Sequence, residues 1–265
     1  MRMRNRGLDS RKQFSRWVYT PKPIETPVMR LLFFPYAGTG VEAFHLWAES
    51  LPGGVELGVV HYPGRGSRLK EPSVIWVPDL VERMARALTP FMDIPVVFFG
   101  HCMGGMLAHE LARHLAATDG ATPSGLIVSG VRAPECPCFY PDMHGLPDDE
   151  FLSVVKALNL RPGSHFESEA VVRSTMPILR RDFQLVESWA GLGVYPEPLR
   201  IPMRALGGSD DAFVPESHLT AWARHTAADF TLRMYPGEHF FIHDDEASQQ
   251  MFRDLAGDLT LWLTC

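Results

Sequence analysis

The stretch Val96-Val-Phe-Phe-Gly-His-Cys-Met-Gly-Gly105 decides the fold. Its apolar start has the length of a buried strand, and the Gly-x-Cys-x-Gly pattern ends that strand in a sharp turn. Apolar residues then recur at the spacing of one helix face: Met106, Leu107, Leu111 and Leu115. Strand, glycine turn and helix predict a nucleophile elbow with Cys102 at its tip, at a helix N-terminus whose dipole favours the thiolate. The flanking strand and helix favour this role over the alternative, a small core cysteine between chance glycines.

Such an elbow predicts an acid and then a histidine, in that chain order, on turns after later strands. Asp211 lies three residues before Val214 in the loop after an apolar run, and the register of the motif favours it over Asp210. His239 follows the last apolar run, on a Pro-Gly-Glu-His turn. We predict that His239, held by Asp211, takes the proton from the Cys102 thiol and later activates water or another nucleophile.

Two further histidines lie near these candidates in the sequence. The side chain of His101 should point away from Cys102 in the elbow, so we predict that it lines the site and contacts the substrate. His243, followed by Asp244 and Asp245, has the composition of a second acid–base group, but we favour a solvated loop for this segment.

Acyl transfer also needs hydrogen-bond donors for the negative oxygen that develops on the substrate. The backbone N–H of Met103, directly after the nucleophile, is one predicted donor. The second is predicted in the turn Pro35–Gly40, here called the early turn, which follows the first core strand. We choose Ala37, with Tyr36 as the rival and as a predicted substrate contact. A phosphate-binding role for this turn is disfavoured, because neither Gly-x-x-x-x-Gly-Lys-Ser/Thr nor Gly-x-Gly-x-x-Gly occurs.

The rest of the chain alternates apolar runs with helical spacing. The runs of strand length are Met29–Phe34, Val55–Tyr62, Pro95–Phe99, Leu126–Ser129, Met203–Leu206 and Phe230–Tyr235. Continuous apolar strands predict an α/β fold with a mostly parallel central sheet covered by helices on both faces. From about residue 133 to 190 the pattern changes to two helical stretches, Asp148–Leu158 and Ser168–Trp189, which predicts an inserted helical lid.

These patterns also predict the domain organisation. Residues 1–25 are polar and basic without a clear period, so we expect a flexible N-terminal arm before a single domain of residues 26–265. The lid should gate the site and bound an acyl pocket. Candidate pocket residues in the lid are Phe139, Met143, Leu152, Met176 and Phe183.

Composition limits the function classes. The 265 residues carry 25 Lys and Arg against 31 Asp and Glu, a formal charge of -6, which disfavours an electrostatic nucleic-acid binder. No apolar run approaches the roughly 18 residues of a membrane-spanning helix, and the basic start lacks a signal-peptide core, so we predict a cytoplasmic protein without membrane contact. The sequence shows no additional apolar stripe that would need a second copy of the chain to cover it, which favours a monomer.

The four cysteines are too few for a disulfide scaffold. Cys136 and Cys138 are interpreted as loop thiols, so no metal site is predicted.

Six motifs together resemble the type II thioesterases of polyketide and nonribosomal peptide synthesis, over about Leu31 to Leu263. They are Phe34–Gly38, Tyr62–Arg65, Gly100–Gly105, Leu146–Phe151, Leu179–Phe183 and Gly237–Phe241. The resemblance implies an α/β-hydrolase fold with a helical lid, without a cofactor of its own. It also implies removal of acyl or aminoacyl groups from the phosphopantetheine arm of a carrier protein by Cys102, Asp211 and His239.

This sequence departs from that family at two positions. Cys102 stands where the family usually has serine, and Thr39 interrupts the usual double glycine of the early turn, which affects the second oxyanion donor. An acyl-cysteine is itself a thioester, so its formation from a carrier thioester is close to thermoneutral, and a second carrier thiol becomes an attractive acceptor. Related proteins with an active-site cysteine resemble aminoacyl shuttles between carrier proteins. A cysteine engineered to trap an acyl-enzyme would leave the same sequence.

Four functions therefore remain open at this point. The first is an editing thioesterase, and the second is an acyl or aminoacyl transferase that uses the same triad. A catalytically weak docking protein that retains the fold is the third, and the intact triad argues against it. Hydrolysis of small esters or lactones is the fourth, and the lid and C-terminal motifs disfavour it.

Overall fold

A seven-stranded sheet forms the centre of the molecule in the computed structural model, which describes residues 16–118, 121–137, 142–158, 169–190, 192 and 197–263. The strands are β1 (Val18–Tyr19), β2 (Met29–Phe34), β3 (Val55–Val60), β4 (Val96–His101), β5 (Gly125–Ser129), β6 (Met203–Gly208) and β7 (Phe230–Tyr235). Their order is β1-β3-β2-β4-β5-β6-β7, and only the pairing of β1 with β3 is antiparallel. The prediction of an α/β fold with a mostly parallel sheet is confirmed.

Helices cover both faces of this sheet. They are α1 (Val77–Leu88), α2 (Met103–Thr118), α3 (Asp148–Leu158), α4 (Glu169–Ala190), α5 (Glu216–Thr220) and α6 (Asp245–Leu263). Successive strand residues point to opposite faces, so Phe98 packs in a core with α1 and α2, while Phe99 packs in a core with α6 and the 3-10 segment Val41–Glu49. A strand buried on both faces explains why its sequence is continuously apolar.

Helix α6, which was not predicted from the sequence, buries Met251, Leu255, Leu259 and Trp262 against the sheet.

The N-terminal segment differs from its prediction. Residues 1–15 lie outside the described residues, but Val18 pairs with Val60 of β3, and the Trp17 ring lies 4.1 Å from the guanidinium of Arg68. The prediction of a flexible arm is therefore wrong for Trp17–Tyr19. The strand Val18–Tyr19 is too short to show an alternating pattern in the sequence. Its partners in β3 lie about 40 positions further along the chain, so no local signal predicts the pairing.

Between β5 and β6 the chain forms the 3-10 turn Met143–Gly145 and the helices α3 and α4, here together called the helical insertion. It has a small core of its own, made by Met143, Phe151, Leu152, Val155, Met176 and Leu179. Helix α4 also packs against α1 and α2, which fixes the insertion above the carboxyl ends of the strands. Phe139, Cys138 and Cys265 fall outside the described residues. Movement of the insertion as a lid stays a prediction.

The described ranges contain neither a membrane-spanning helix nor a cluster of metal ligands. None of the helices placed there is both long and apolar enough to cross a membrane. The same part of the chain holds no group of three histidine, cysteine or acidic side chains that suits a metal ion.

Candidate active site

The turn after β4 has the geometry of a nucleophile elbow. Cys102 takes the left-handed conformation, with φ 52°, and its N–H donates to the Ser129 carbonyl at 2.8 Å. A side chain at Gly104 would place its Cβ 1.8 Å from the Phe34 carbonyl oxygen, and one at Gly100 would lie 2.1 Å from that of Gly104. Only glycine fits at these two positions, because a Cβ would collide with backbone that cannot move aside. The strained turn presents the half-buried Cys102 at the start of α2.

Asp211 and His239 meet at the ends of β6 and β7. Oδ2 of Asp211 lies 2.7 Å from Nδ1 of His239, and Oδ1 accepts from the amides of Phe213 at 2.9 Å and Val214 at 3.1 Å. The Asp211 carboxylate is fully buried, whereas the Asp210 side chain is exposed and accepts a hydrogen bond from the Ser209 hydroxyl. The structure therefore favours Asp211 over Asp210 as the partner of the histidine.

The electrostatics of His239 favour its charged form. Burial by itself would lower the pKa of His239, but hydrogen bonds to Asp211 and Cys102 raise it to about 10. Because Nδ1 faces Asp211, the other ring nitrogen, Nε2, faces the sulfur. The charged imidazolium therefore lies beside the Cys102 sulfur.

Backbone donors for an oxyanion are present beside Cys102. Ala37 and Met103 both line the cavity with Cys102. Met103 begins α2, so its N–H has no intrahelical acceptor, and within the described ranges the Ala37 N–H has no acceptor either. In the early turn Gly38 takes the left-handed conformation, with φ 77°, whereas Thr39 does not. Thr39 therefore fits the turn without backbone strain.

The two predicted substrate contacts have different outcomes. Tyr36 lines the cavity. His101 does not, because it is fully buried behind His239, with ring centroids 5.1 Å apart and its Nδ1 2.9 Å from the Ser129 hydroxyl oxygen. The prediction that His101 lines the site is wrong, since the residue before the nucleophile points to the other side of the elbow. Burial, then the charges of His239 and His243, lower the pKa of His101 well below its usual range, so it is neutral.

His243 is not on a solvated loop as predicted. Its Nε2 lies 3.0 Å from the Tyr36 hydroxyl oxygen, and its ring packs against Phe44. The 3-10 turn at Phe241–His243 directs it inward, beneath the early turn. This histidine supports Tyr36 and does not line the cavity.

A mainly apolar cavity of about 160 Å³ opens beside Cys102 and His239. The strand-end wall contains Met103, Met106, Val131, Phe213, Val214 and Phe240, and the insertion wall contains Met143, Val155, Leu179, Phe183, Val186 and Trp189. Of the predicted pocket residues, Met143 and Phe183 line it, whereas Leu152 and Met176 pack inside the insertion's own core. An engineered apolar cavity of about 150 Å³ holds benzene, so this volume suits a compact apolar group.

Two charged side chains on the cavity wall already have partners. The Arg132 guanidinium lies 5.0 Å from the Trp189 ring and donates to the carbonyls of Pro134 and Cys136. Glu187 accepts from the His144 amide at 3.0 Å and also contacts its ring. The described lining therefore offers a substrate mostly apolar surface next to the sulfur and the imidazole.

Sequence analysis missed one polar pair near the site. Arg65 is buried and pairs with Asp182 of α4. Both belong to motifs that carried the resemblance, Tyr62–Arg65 and Leu179–Phe183, but nothing local in either motif shows that the two residues meet.

A nucleophile on a strand–turn–helix, with its acid and histidine on later strand ends in that chain order, defines an α/β hydrolase. The model of the thioesterase domain family matches residues 29–259, so the chain belongs to that family and is a thioester hydrolase.

Comparison with known proteins gives the same class. The gramicidin S biosynthesis protein GrsT of Aneurinibacillus migulanus is 33% identical over 251 residues, which are 95% of this chain and 96% of that protein. Thioesterase PikA5 of Streptomyces venezuelae is 34% identical, covering 86% of this chain and 80% of its own. The solved structure of BorB, the type II thioesterase of the borrelidin biosynthetic cluster, has a TM-score of 0.81 and 29% identity over 93% of this chain and 97% of that chain.

Proposed function

We propose that this chain is a type II thioesterase that removes acyl or aminoacyl groups from the phosphopantetheine arm of carrier proteins in polyketide or nonribosomal peptide synthesis. The arrangement of Asp211, His239 and Cys102 at the mouth of an apolar cavity carries this proposal. Relatives whose names place them in gramicidin S and borrelidin biosynthesis support the pathway class. The partner is a carrier protein, and the enzyme acts as a monomer in the cytoplasm.

The first half of the reaction forms an acyl-enzyme. The Cys102 sulfur attacks the thioester carbonyl, and the developing oxyanion accepts hydrogen bonds from the amides of Ala37 and Met103. The His239 imidazolium then gives its proton to the departing phosphopantetheine thiol, while Asp211 holds the ring in place and stabilises its charge. The products are acyl-Cys102 and a free carrier thiol.

The second half releases the acyl group. His239, now neutral, takes a proton from water as the water oxygen attacks acyl-Cys102, and the sulfur leaves as thiolate. The free acid and the imidazolium–thiolate pair complete the cycle.

A second candidate function follows from the cysteine itself. Because acyl-Cys102 is a thioester, exchange with the thiol of another carrier protein replaces one thioester by another, with little change in free energy. The chain would then be an acyl or aminoacyl transferase between carriers. This candidate differs from the first only in the acceptor that reaches acyl-Cys102.

Intact-protein mass spectrometry tests both candidates. The chain is mixed with an aminoacyl-loaded carrier protein, with and without a second, empty holo carrier, and all species are followed over time. Free acid that forms without an acceptor supports hydrolysis, whereas a persistent adduct that discharges only to the empty carrier supports transfer. The matched control pair is Cys102→Ala, which should form no adduct, and Cys136→Ala, which changes the other described free cysteine and should leave the adduct unchanged.

The substitution Cys102→Ser separates the two candidates further. An acyl-serine ester lies well below a thioester in free energy, so return of the group to a carrier thiol is uphill. If the cysteine serves transfer, this variant should shift products from acyl-carrier to free acid in the same assay. An unchanged product ratio contradicts that role of the cysteine.

A further inference from the structure

A buried ion pair lies directly behind the early turn. Arg65 follows β3, and Asp182 lies on α4 of the helical insertion. Nη1 of Arg65 lies 2.9 Å from Oδ2 of Asp182, and Nη2 donates to Oδ1. The side chains are only 6% and 4% exposed. A two-pronged pair with so little water around it holds both partners in a fixed geometry.

The pair is also bonded to the early turn. Oδ2 of Asp182 accepts from the Gly38 amide at 2.7 Å, and Nη1 of Arg65 donates to the Thr39 carbonyl at 3.3 Å. Two consecutive residues of the turn are therefore held, one by the helical insertion and one by the segment after β3. The bonded Gly38 amide directly follows Ala37, whose own N–H is the candidate second oxyanion donor.

The conformation of the turn makes this anchor important. Gly38 is left-handed, and glycine gives the backbone a freedom that other residues lack. An oxyanion donor contributes to catalysis only when its direction is fixed before the reaction begins. Here Asp182, which is about 140 positions away in the sequence, bonds Gly38 itself.

We propose that Asp182 is a positioning residue for the oxyanion hole, and that it makes the direction of the Ala37 N–H depend on the seating of α4. This rests on the proposed acyl-transfer function and extends it. When α4 lies on the sheet, the Gly38 amide is bonded and the Ala37 donor faces the sulfur. When α4 lifts away, Gly38 loses its acceptor, so acylation proceeds only with the helical insertion in place.

Two reactions of the same sulfur test the proposal. Acylation of Cys102 by an acyl-N-acetylcysteamine thioester passes through an oxyanion. Alkylation by iodoacetamide forms a carbon–sulfur bond at a saturated carbon as iodide leaves, with no oxyanion. Both rates are measured by mass spectrometry on the full chain. For Asp182→Asn we expect acylation to slow by roughly tenfold or more, the usual scale of a displaced catalytic group, while alkylation stays within about twofold.

A matched control lies on the same helix. The Ser188 hydroxyl accepts from the Val77 amide of α1 at 3.2 Å, so Ser188→Ala removes one polar contact of α4 away from the early turn and leaves the Asp182 contacts that hold Gly38. Neither rate should change by more than about twofold in this variant. If the Arg65–Asp182 ion pair served only to anchor α4, Asp182→Asn and Ser188→Ala would change the acylation rate to a similar extent.

Each outcome decides one question. Equal losses in both reactions, or unchanged acylation, would overturn the role of Asp182. If Asp182→Asn is unfolded by circular dichroism, Arg65→Lys is used, since it keeps the charge but loses the two-pronged geometry. That variant should slow acylation alone, by roughly threefold or more, and unchanged acylation again contradicts the proposal. A wild-type chain that is alkylated but not acylated by any carrier or model thioester overturns the proposed function itself.

Discussion

The cavity has a strand-end wall and an insertion wall, and different interactions hold them. On the strand-end wall, backbone hydrogen bonds fix the loops: the Cys102 amide donates to Ser129 at 2.8 Å, and the Asp210 amide donates to Gly237 at 2.9 Å, which joins the loops of the acid and the histidine. On the insertion wall, α3 and α4 share a small apolar core, and side-chain hydrogen bonds such as those of Asp182 and Ser188 join α4 to the rest of the molecule. The proposed catalytic residues Cys102, Asp211 and His239 therefore lie on the wall whose loops are fixed by backbone hydrogen bonds.

The largest effect is expected for Asp211→Asn, which changes the strand-end wall. The amide keeps the shape of the side chain but changes the hydrogen-bond partner of His239, so the wrong tautomer faces the sulfur. We expect turnover with a carrier thioester to fall on the order of 10⁴-fold, measured as kcat. The matched control is Asp210→Asn, one residue away on the exposed side of the loop, which should change kcat by less than about twofold. If Asp210→Asn lowered kcat by this amount and Asp211→Asn did not, Asp210 would be the acid that orients His239.

The pH dependence tests the electrostatics of the same wall. Since the pKa of His239 is raised to about 10, the imidazolium that protonates the leaving thiol is lost only as the pH rises through that value. We expect kcat/KM to stay level at neutral pH and to fall by roughly tenfold per pH unit above about 10. Asp211→Asn should move this fall to lower pH, because the partner that raises the pKa is gone.

Stability should follow the same titration. The folded chain binds a proton on His239 more tightly than the unfolded chain does, so the stabilising contribution is complete below about pH 6.5. It declines as the pH rises through about 10. Chemical denaturation of the wild type and His239→Gln across this range should show their free energies of unfolding converging at high pH, and parallel curves would contradict the assignment.

The insertion wall should be easier to change. Phe183 lines the cavity, so Phe183→Ala should raise kcat/KM for longer acyl chains relative to short ones by roughly tenfold, measured with a series of model thioesters. The matched control is Leu152→Ala, in the insertion's own core. That variant should lose about 2–5 kcal/mol of stability without a changed chain-length preference. Equal shifts in both variants would show that cavity shape depends on the whole insertion.

The smallest expected effect concerns the early turn. Thr39→Gly restores a double glycine, but Thr39 does not use the left-handed conformation, so kcat should stay within about twofold of the wild type. Stability should fall by about 1 kcal/mol or less, because glycine gains entropy in the unfolded chain. A clear rise in kcat would show that the threonine side chain restrains the second oxyanion donor.

How much the sequence predicted also differs between the two walls. Cys102, Asp211 and His239 could be found because each follows an apolar strand and their chain order is a known pattern. The structure brings these three together. His101 points away from Cys102 as predicted, but it does not line the cavity, because that direction leads into the core behind His239, which the motif alone does not show.

The contacts of the insertion could not be predicted in this way. Arg65 and Asp182 are 117 positions apart, and a lone arginine after glycine and proline resembles a solvated residue until its partner is known. Trp17 and Val18 were missed for a similar reason, since their burial depends on Arg68 and β3. Patterns in the sequence report local periodicity, and these contacts are set by the tertiary fold.

Three methionines line the cavity: Met103 and Met106 from the strand-end wall and Met143 from the insertion. A thioether chain is unbranched and polarisable, so it adapts its shape to its neighbours at little cost, unlike a β-branched side chain. A pocket surfaced in this way distinguishes poorly between cargoes of similar size. We therefore expect this enzyme to accept a range of acyl groups of similar size.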